Sequence, residues 1–108
     1  MIRPSSHLAV LLALLTLPAP AAFAHGAFCN CVALDADQVR CHGGFIGGGP
    51  APGVTLDVIG YDQTIHLHGK LDADSTLTFK RPAGEFYVLL DGGPGYMAEV
   101  DHSEIAER

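Results

Sequence analysis

Apolar and polar residues alternate in short runs along most of the chain, and turn residues separate these runs. Alternation with a period of two predicts strands that turn one face to a core, rather than amphipathic helices. The stretch IGGGPAPG at residues 46–53 is too rich in glycine and proline for a regular element, and it predicts a loop. Strands are predicted at residues 29–34, 38–45, 54–60, 64–70, 75–81, 85–91 and 95–101. These seven strands predict an all-β fold, a small antiparallel β-sandwich.

The first 24 residues have a different pattern, which is typical of a cleaved signal peptide. Arg3 supplies the positive charge, residues 8–17 form the apolar segment, and the small residues Ala22 and Ala24 frame a cleavage site. The apolar segment is shorter than the roughly twenty residues that a transmembrane helix needs. We therefore expect residues 25–108 to form one exported domain, periplasmic or secreted, with no membrane span after cleavage.

The charge balance narrows the possible functions. Twelve acidic residues stand against six basic ones, the formal net charge is −6, and no Lys/Arg cluster is present. This composition argues against nucleic acid and anionic membranes as partners. The sequence also lacks a G-x-S-x-G elbow, an H-E-x-x-H motif and a Ser-His-Asp order, so it does not predict an enzyme.

Three cysteines carry the main candidate chemistry. Cys29 and Cys31 are two residues apart and share one face of the first strand. If the hairpin turns symmetrically about Ala36, Cys31 lies opposite Cys41 and all three sulfurs meet. They then form either a three-thiolate site for Cu(I) or Zn(II), or a Cys31–Cys41 disulfide with Cys29 left over. An oxidising compartment favours the disulfide, which does not explain the odd thiol.

Histidines supply a second set of candidate metal ligands. Cleavage after Ala24 makes His25 the first mature residue, whose α-amine and imidazole together can chelate Cu(II) or Ni(II). His66 and His68 alternate with Ile65 and Leu67. We expect the two aliphatic residues to face the core, so that both imidazoles point outward on one face, about 7 Å apart, and can share an ion.

The second half of the chain resembles a known family. The LDAD turn at residues 71–74, the LTF strand at 77–79 and the PAGEFY segment at 82–87 resemble transthyretin-like sandwiches, typified by the carboxypeptidase regulatory-like domain. The GPGYMAEV segment at 93–100 and the histidine after the cleavage site are similar to secreted sandwich components of bacterial nickel and cobalt uptake systems. The first resemblance implies the fold. The second implies a nickel or cobalt cargo.

Together these features predict an exported accessory protein that captures a transition-metal ion and presents it to an uptake system. The cargo is nickel or cobalt by resemblance, and copper or zinc by the preference of thiolates. The expected partner is a metal importer or an outer-membrane receptor component. The alternative is a disulfide-stapled sandwich that binds no metal and docks on a transporter or outer-membrane partner.

Overall fold

The computed structural model describes residues 26–107, which form strands and one short 3-10 turn. Each predicted run contains a strand, so the all-β prediction is confirmed. The loop predicted at residues 46–53 differs in one respect, since two of its residues pair briefly with the second strand. The elements are β1 (Ala27–Ala33), β2 (Gln38–Phe45), β3 (Gly49–Pro50), β4 (Thr55–Gly60), β5 (Ile65–Lys70), β6 (Thr76–Lys80), β7 (Phe86–Asp91), β8 (Met97–Asp101) and the 3-10 turn His102–Glu104.

The predicted signal peptide and His25 lie outside the described residues. Between residues 26 and 107, no helix has the length and apolar character needed to cross a bilayer.

The strands form two antiparallel four-stranded sheets. In the first sheet β2 is central, with β1 on one side and β6 and β3 on the other. The second sheet has the order β5-β4-β7-β8. The end of the chain returns to the outer edge of β1, where the Ala106 N–H donates to the Cys31 carbonyl at 3.0 Å. This contact places the C-terminal segment beside the first cysteines.

The core lies between the inner faces of the two sheets. Strand β4 alternates between buried and partly exposed positions, as its sequence predicts, and Leu56 and Val58 are fully buried. Val39 of β2 faces them from the first sheet and is also fully buried. Gly43 leaves room for Leu90, because a Cβ atom at Gly43 would lie 2.9 Å from the Leu90 Cδ2 atom. The inner face of β2 therefore supports both the core and the cysteines.

The pairing of β4 with β5 shifts by one residue, which the regular alternation of the sequence does not predict. Val58 pairs with Leu67, but the next residue, Ile59, pairs with Ile65, so His66 is the extra residue of a β-bulge. The prediction that Ile65 faces the core is wrong: it lies opposite Ile59 on the outer face, with 59% of its surface exposed.

Asp101 ties the end of β8 to the 3-10 turn and to the loop after β4. Its carboxylate accepts hydrogen bonds from the Ser103 backbone N–H at 3.0 Å, from the Ser103 hydroxyl and from the Tyr61 hydroxyl. The Glu104 carboxylate accepts from the Asp101 N–H at 2.9 Å, which completes a capping box. The hydrogen bonds that the Asp101 carboxylate accepts, first that from the Ser103 hydroxyl and then that from Tyr61, lower the pKa of Asp101 to about 2.

We expect Asp101 to make stability sensitive to acid. Its pKa is lower in the folded chain than the ordinary 3.8, so its contribution is complete above pH 3.8 and is lost as pH falls towards 2. The melting temperature of the wild type should therefore fall more steeply between pH 4 and pH 2 than that of Asp101→Asn. Asp74→Asn, in a surface turn, is the control. Parallel curves for wild type and Asp101→Asn would contradict this role.

Candidate functional site

The hairpin between β1 and β2 sets the positions of the cysteines. The Leu34 N–H donates to the Gln38 carbonyl at 2.8 Å, and the Asp35 carboxylate accepts from the Gln38 N–H at 2.8 Å. In the resulting register Cys31 lies directly opposite Cys41, as predicted from the symmetry of the turn. Along an antiparallel hairpin, pairs of opposite residues alternate between hydrogen-bonded and non-hydrogen-bonded. Leu34 and Gln38 are a hydrogen-bonded pair, so Cys31 and Cys41, three pairs further along, are a non-hydrogen-bonded pair. Their Cα atoms are 4.0 Å apart.

All three cysteines meet inside the sandwich. Cys31 and Cys41 form a disulfide. Of the two arrangements predicted from the sequence, a three-thiolate site or a disulfide, the structure therefore contains the disulfide. Cys41 is completely buried, and Cys31 keeps 6% of its surface exposed. Cys29 is a free thiol, and its sulfur and the two disulfide sulfurs all lie within 4.8 Å of one another. The predicted meeting of the three sulfurs is therefore confirmed. We call this group the three-cysteine cluster.

A cleft of about 250 Å³ connects the three-cysteine cluster to solvent. It lies between β1, β8 and the C-terminal segment, and the half-buried Cys29 lines it together with Cys31. Two exposed acidic residues, Glu99 and Glu104, also line it, so negative charge lies beside Cys29 and Cys31 in the cleft. We call this feature the acidic cleft; its lining residues are Cys29, Asn30, Cys31, Glu99, Val100, Glu104 and Ala106.

The glutamates of the acidic cleft were missed in the sequence. Glu104 had a readable signal, because Asp101 and Glu104 have the spacing of a capping box. Glu99 had none, because its place beside the cluster depends on how β8 packs against β1, and the two strands belong to different sheets.

Burial controls the protonation of Cys29. Removal of the thiol from water raises the pKa of Cys29 from 9.0 to about 11, because the protein interior disfavours the charged thiolate. Since the thiolate is the nucleophile, this shift makes the native thiol unreactive near neutral pH.

We expect iodoacetamide to alkylate Cys29 at pH 8 at least about 100-fold more slowly in the native protein than in urea, given a pKa shift of roughly two units. A free thiol exchanges with a disulfide in the unfolded chain, so peptide mapping must show that the label in urea is on Cys29. Mass spectrometry of quenched samples gives both rates. Equal rates would mean that Cys29 is exposed.

The structure does not bring the two predicted histidines together. His68 lies on the outer face opposite Asp57, and its Nδ1 atom is 2.6 Å from the Asp57 Oδ1 atom. His66, at the bulge, lies over Gly60 on the core side of the sheet: a Cβ atom built at Gly60 would be 3.0 Å from its Nε2 atom. The prediction that both imidazoles share one face is therefore wrong, because the bulge interrupts the alternation of β5.

Among residues 26–107, one set of three or more Cys, His, Asp or Glu ligand atoms lies close enough together to hold one metal ion, and that set is the three-cysteine cluster. His66 and His68 do not belong to it. The predicted ligand His25 lies outside the described residues. Comparisons with protein-family models, with curated proteins and with solved structures found no match, so the proposals below depend on the geometry of this cluster.

Proposed function

We propose that the chain is an exported accessory protein whose three-cysteine cluster binds a soft transition-metal ion after the Cys31–Cys41 disulfide is reduced. One observation carries this proposal: three sulfurs from two adjacent strands lie within 4.8 Å of one another at the end of an open cleft. Reduction changes the cluster from one thiol and one disulfide into three thiols.

The spacing of the sulfurs suits a metal ion. A metal–sulfur bond of about 2.3 Å places three sulfurs roughly 4 Å apart around a trigonal ion. Cys29 is already within 4.8 Å of both disulfide sulfurs, so it needs to move by less than about 1 Å. The sulfurs of Cys31 and Cys41 separate when their bond is reduced. The paired strands hold the backbone, so rotation of the side chains is enough to form the site.

The number and type of ligands favour Cu(I). Soft thiolates select Cu(I) and zinc, and a structural zinc site takes four ligands, whereas the cluster among residues 26–107 has three. The resemblance to secreted components of nickel and cobalt uptake systems points instead to those two metals. Nickel or cobalt would suit nitrogen ligands such as the amine and imidazole of His25, in a site distinct from the cluster.

The other parts of the proposal rest on the sequence. The predicted signal peptide supports export, and the motifs at residues 71–74, 77–79 and 82–87 support a transthyretin-like arrangement of the two observed sheets. A protein of this kind carries the ion and does not transform a substrate, so we propose no enzymatic activity. The partner that accepts the ion is a metal importer or an outer-membrane receptor component.

Native mass spectrometry of single variants tests the site. Protein reduced in urea with a phosphine and refolded without oxygen should bind one Cu(I) per chain. Cys29→Ser should bind Cu(I) more weakly, because two of the three thiolates remain, whereas His68→Gln should bind it as the wild type does. Equal binding by Cys29→Ser and the wild type would exclude Cys29 as a ligand and contradict a three-thiolate site.

A separate experiment addresses His25. Addition of one glycine before His25 moves the α-amine away from the imidazole and removes the chelate ring. We expect this extension to weaken Ni(II) or Cu(II) binding and to leave Cu(I) binding by the cluster unchanged. If all three ions bind the extended protein as they bind the wild type, His25 is not a ligand.

The disulfide favours a second candidate function. A buried crosslink between adjacent strands suits a small sandwich that must stay folded outside the cell, where it docks on a transporter or outer-membrane partner without metal. Under this alternative, the reduced protein binds no transition metal, and loss of the cysteines affects stability alone.

A further inference from the structure

We propose that the crevice between the outer edges of β5 and β6 binds a small carboxylic acid, with its apolar body between the two sheets and its carboxylate beside Lys80. This β5–β6 crevice has a volume of about 310 Å³. It lies on the opposite side of the sandwich from the acidic cleft, because β5 and β6 are at the ends of their sheets opposite β8 and β1. The site does not involve the three-cysteine cluster and is independent of the proposed metal function.

The inner walls of the β5–β6 crevice are apolar. Leu67 and Leu77 approach each other over Gly69, where a Cβ atom would lie 3.5 Å from the Leu67 Cγ atom and 2.9 Å from the Leu77 Cδ2 atom. Behind them, Phe79 and Val58 line the crevice from the core, and they are 8% and 0% exposed. Such walls suit a hydrocarbon group, because its transfer from water to an apolar surface is favourable.

The bulge in β5 supplies a polar wall. His66 is the extra residue opposite Val58, so its imidazole turns to the inner side of the sheet together with Leu67. A β-bulge re-aims a side chain in this way beside many binding sites. His66 also lines a neighbouring crevice that contains the carboxylates of Asp62 and Glu85. The imidazole therefore stands between the β5–β6 crevice and these two negative charges.

Lys80 gives the mouth of the β5–β6 crevice a positive charge. None of the described residues that line it is acidic, although the chain as a whole has a net charge of −6. Lys80 is exposed and forms no ion pair with the described residues, whereas Arg81 beside it pairs with Glu107. Arg40 adds a second positive charge nearby, since its Nε atom is 3.5 Å from the Thr78 Oγ1 atom. An apolar crevice with a free ammonium at its mouth is complementary to an anion with a hydrocarbon body.

The backbone of β6 offers further hydrogen-bond donors. The Arg81 N–H donates to the Asp37 carbonyl of the neighbouring β2 side at 2.7 Å. Because backbone groups alternate in direction along an antiparallel strand, the N–H groups of Thr78 and Lys80 point away from β2, towards the outer edge. A carboxylate beside the Lys80 ammonium can therefore also accept from this edge.

The volume of the β5–β6 crevice limits the size of the ligand. About 310 Å³ is at the low end of the range for ligand pockets. A water molecule takes about 30 Å³ of the liquid, and a methylene group is similar in size, so the crevice holds about ten non-hydrogen atoms. Octanoate has this number of atoms and is the probe we choose.

Titration with octanoate, followed by the amide signals of ¹H–¹⁵N NMR spectra, tests the site. We expect saturable shifts that are largest in β5 and β6. Acetate has the carboxylate without the apolar body, and octylammonium has the body with the opposite charge, so each should bind at least about tenfold more weakly. If no saturable shift occurs below about 10 mM octanoate, or if octylammonium binds as tightly, the inference is wrong.

Lysine variants locate the carboxylate. Lys80→Met removes the charge but keeps a long side chain, so it should weaken octanoate binding about three- to tenfold, and Lys80→Glu should weaken it further. Lys70→Met is the matched control, because Lys70 is an exposed lysine of β5 that does not line the crevice. It should bind octanoate as the wild type does. Equal binding by Lys80→Met and Lys70→Met would exclude the Lys80 ammonium as the partner of the carboxylate and overturn the proposal.

A second copy of the chain is the competing occupant, because the outer edges of β5 and β6 can pair with another sheet. Sedimentation velocity of the wild type and of Lys80→Glu, without ligand, distinguishes the two. A wild type that sediments as a monomer leaves the β5–β6 crevice open to octanoate, as we expect. A dimer that Lys80→Glu dissociates would show that a second copy covers the crevice, and the small carboxylic acid would not be its ligand.

Discussion

Replacement of Cys31 and Cys41 together by alanine is expected to lower the melting temperature by about 12–24 °C. The disulfide closes a loop between residues ten apart, which restricts the unfolded chain and stabilises the fold by about 3 kcal/mol. In so small a domain, each kcal/mol shifts the melting temperature by about 4–8 °C. Thermal unfolding followed by circular dichroism, without metal or reductant, measures the effect.

Cys29→Ala is the matched control for this effect. It removes a partly buried sulfur from the same cluster but leaves the crosslink intact. We expect its melting temperature to stay much closer to that of the wild type. If the control and the double variant melted together, loss of packing rather than loss of the crosslink would explain the change.

The alternation of the sequence was enough to locate the strands and the cysteine pairing. Strand β4 buries every second residue, so its apolar positions reveal which face is inside, as Leu56 and Val58 illustrate. The hairpin register followed from its short turn, and it placed Cys31 opposite Cys41. Local patterns of this kind are readable because neighbouring residues determine them.

The bulge in β5 was not readable, because it results from a conflict between two registers. The turn that follows β4 pairs Gly60 with Thr64, and Ile59 then pairs with Ile65. The rest of β4 and β5 pairs with an offset of one residue, and His66 absorbs the difference. The run from Thr64 to Lys70 alternates regularly, so its sequence gives no sign of the shift that separates His66 from His68.

The surroundings of Cys29 also depend on long-range packing. Its half-burial and its raised pKa arise because β8 and the C-terminal segment, some seventy residues later in the chain, lie against β1. The sequence showed that three sulfurs meet. It left open whether they form a disulfide or bind a metal, because the redox state depends on the chemistry around the protein as well as on the fold.

The largest functional effect we expect is a difference in Cu(I) affinity between the two redox states of the same chain. The reduced cluster offers three thiolates, whereas the disulfide form offers the single, half-buried thiol of Cys29. Loss of two of three ligands should weaken binding at least about 1,000-fold, or roughly 4 kcal/mol. The disulfide form is a close control, because it has the same sequence.

The most direct test of a metal site in the three-cysteine cluster is a competition titration of both redox forms against a chromophoric Cu(I) chelator. Calorimetric titrations of both forms with Zn(II), Ni(II) and Co(II) run in parallel. We predict one tightly bound Cu(I) in the reduced form and at least about 1,000-fold weaker binding in the disulfide form. If no ion binds either form more tightly than about 10 μM, or roughly 7 kcal/mol, the metal-binding function is contradicted and the disulfide-stapled docking module takes its place.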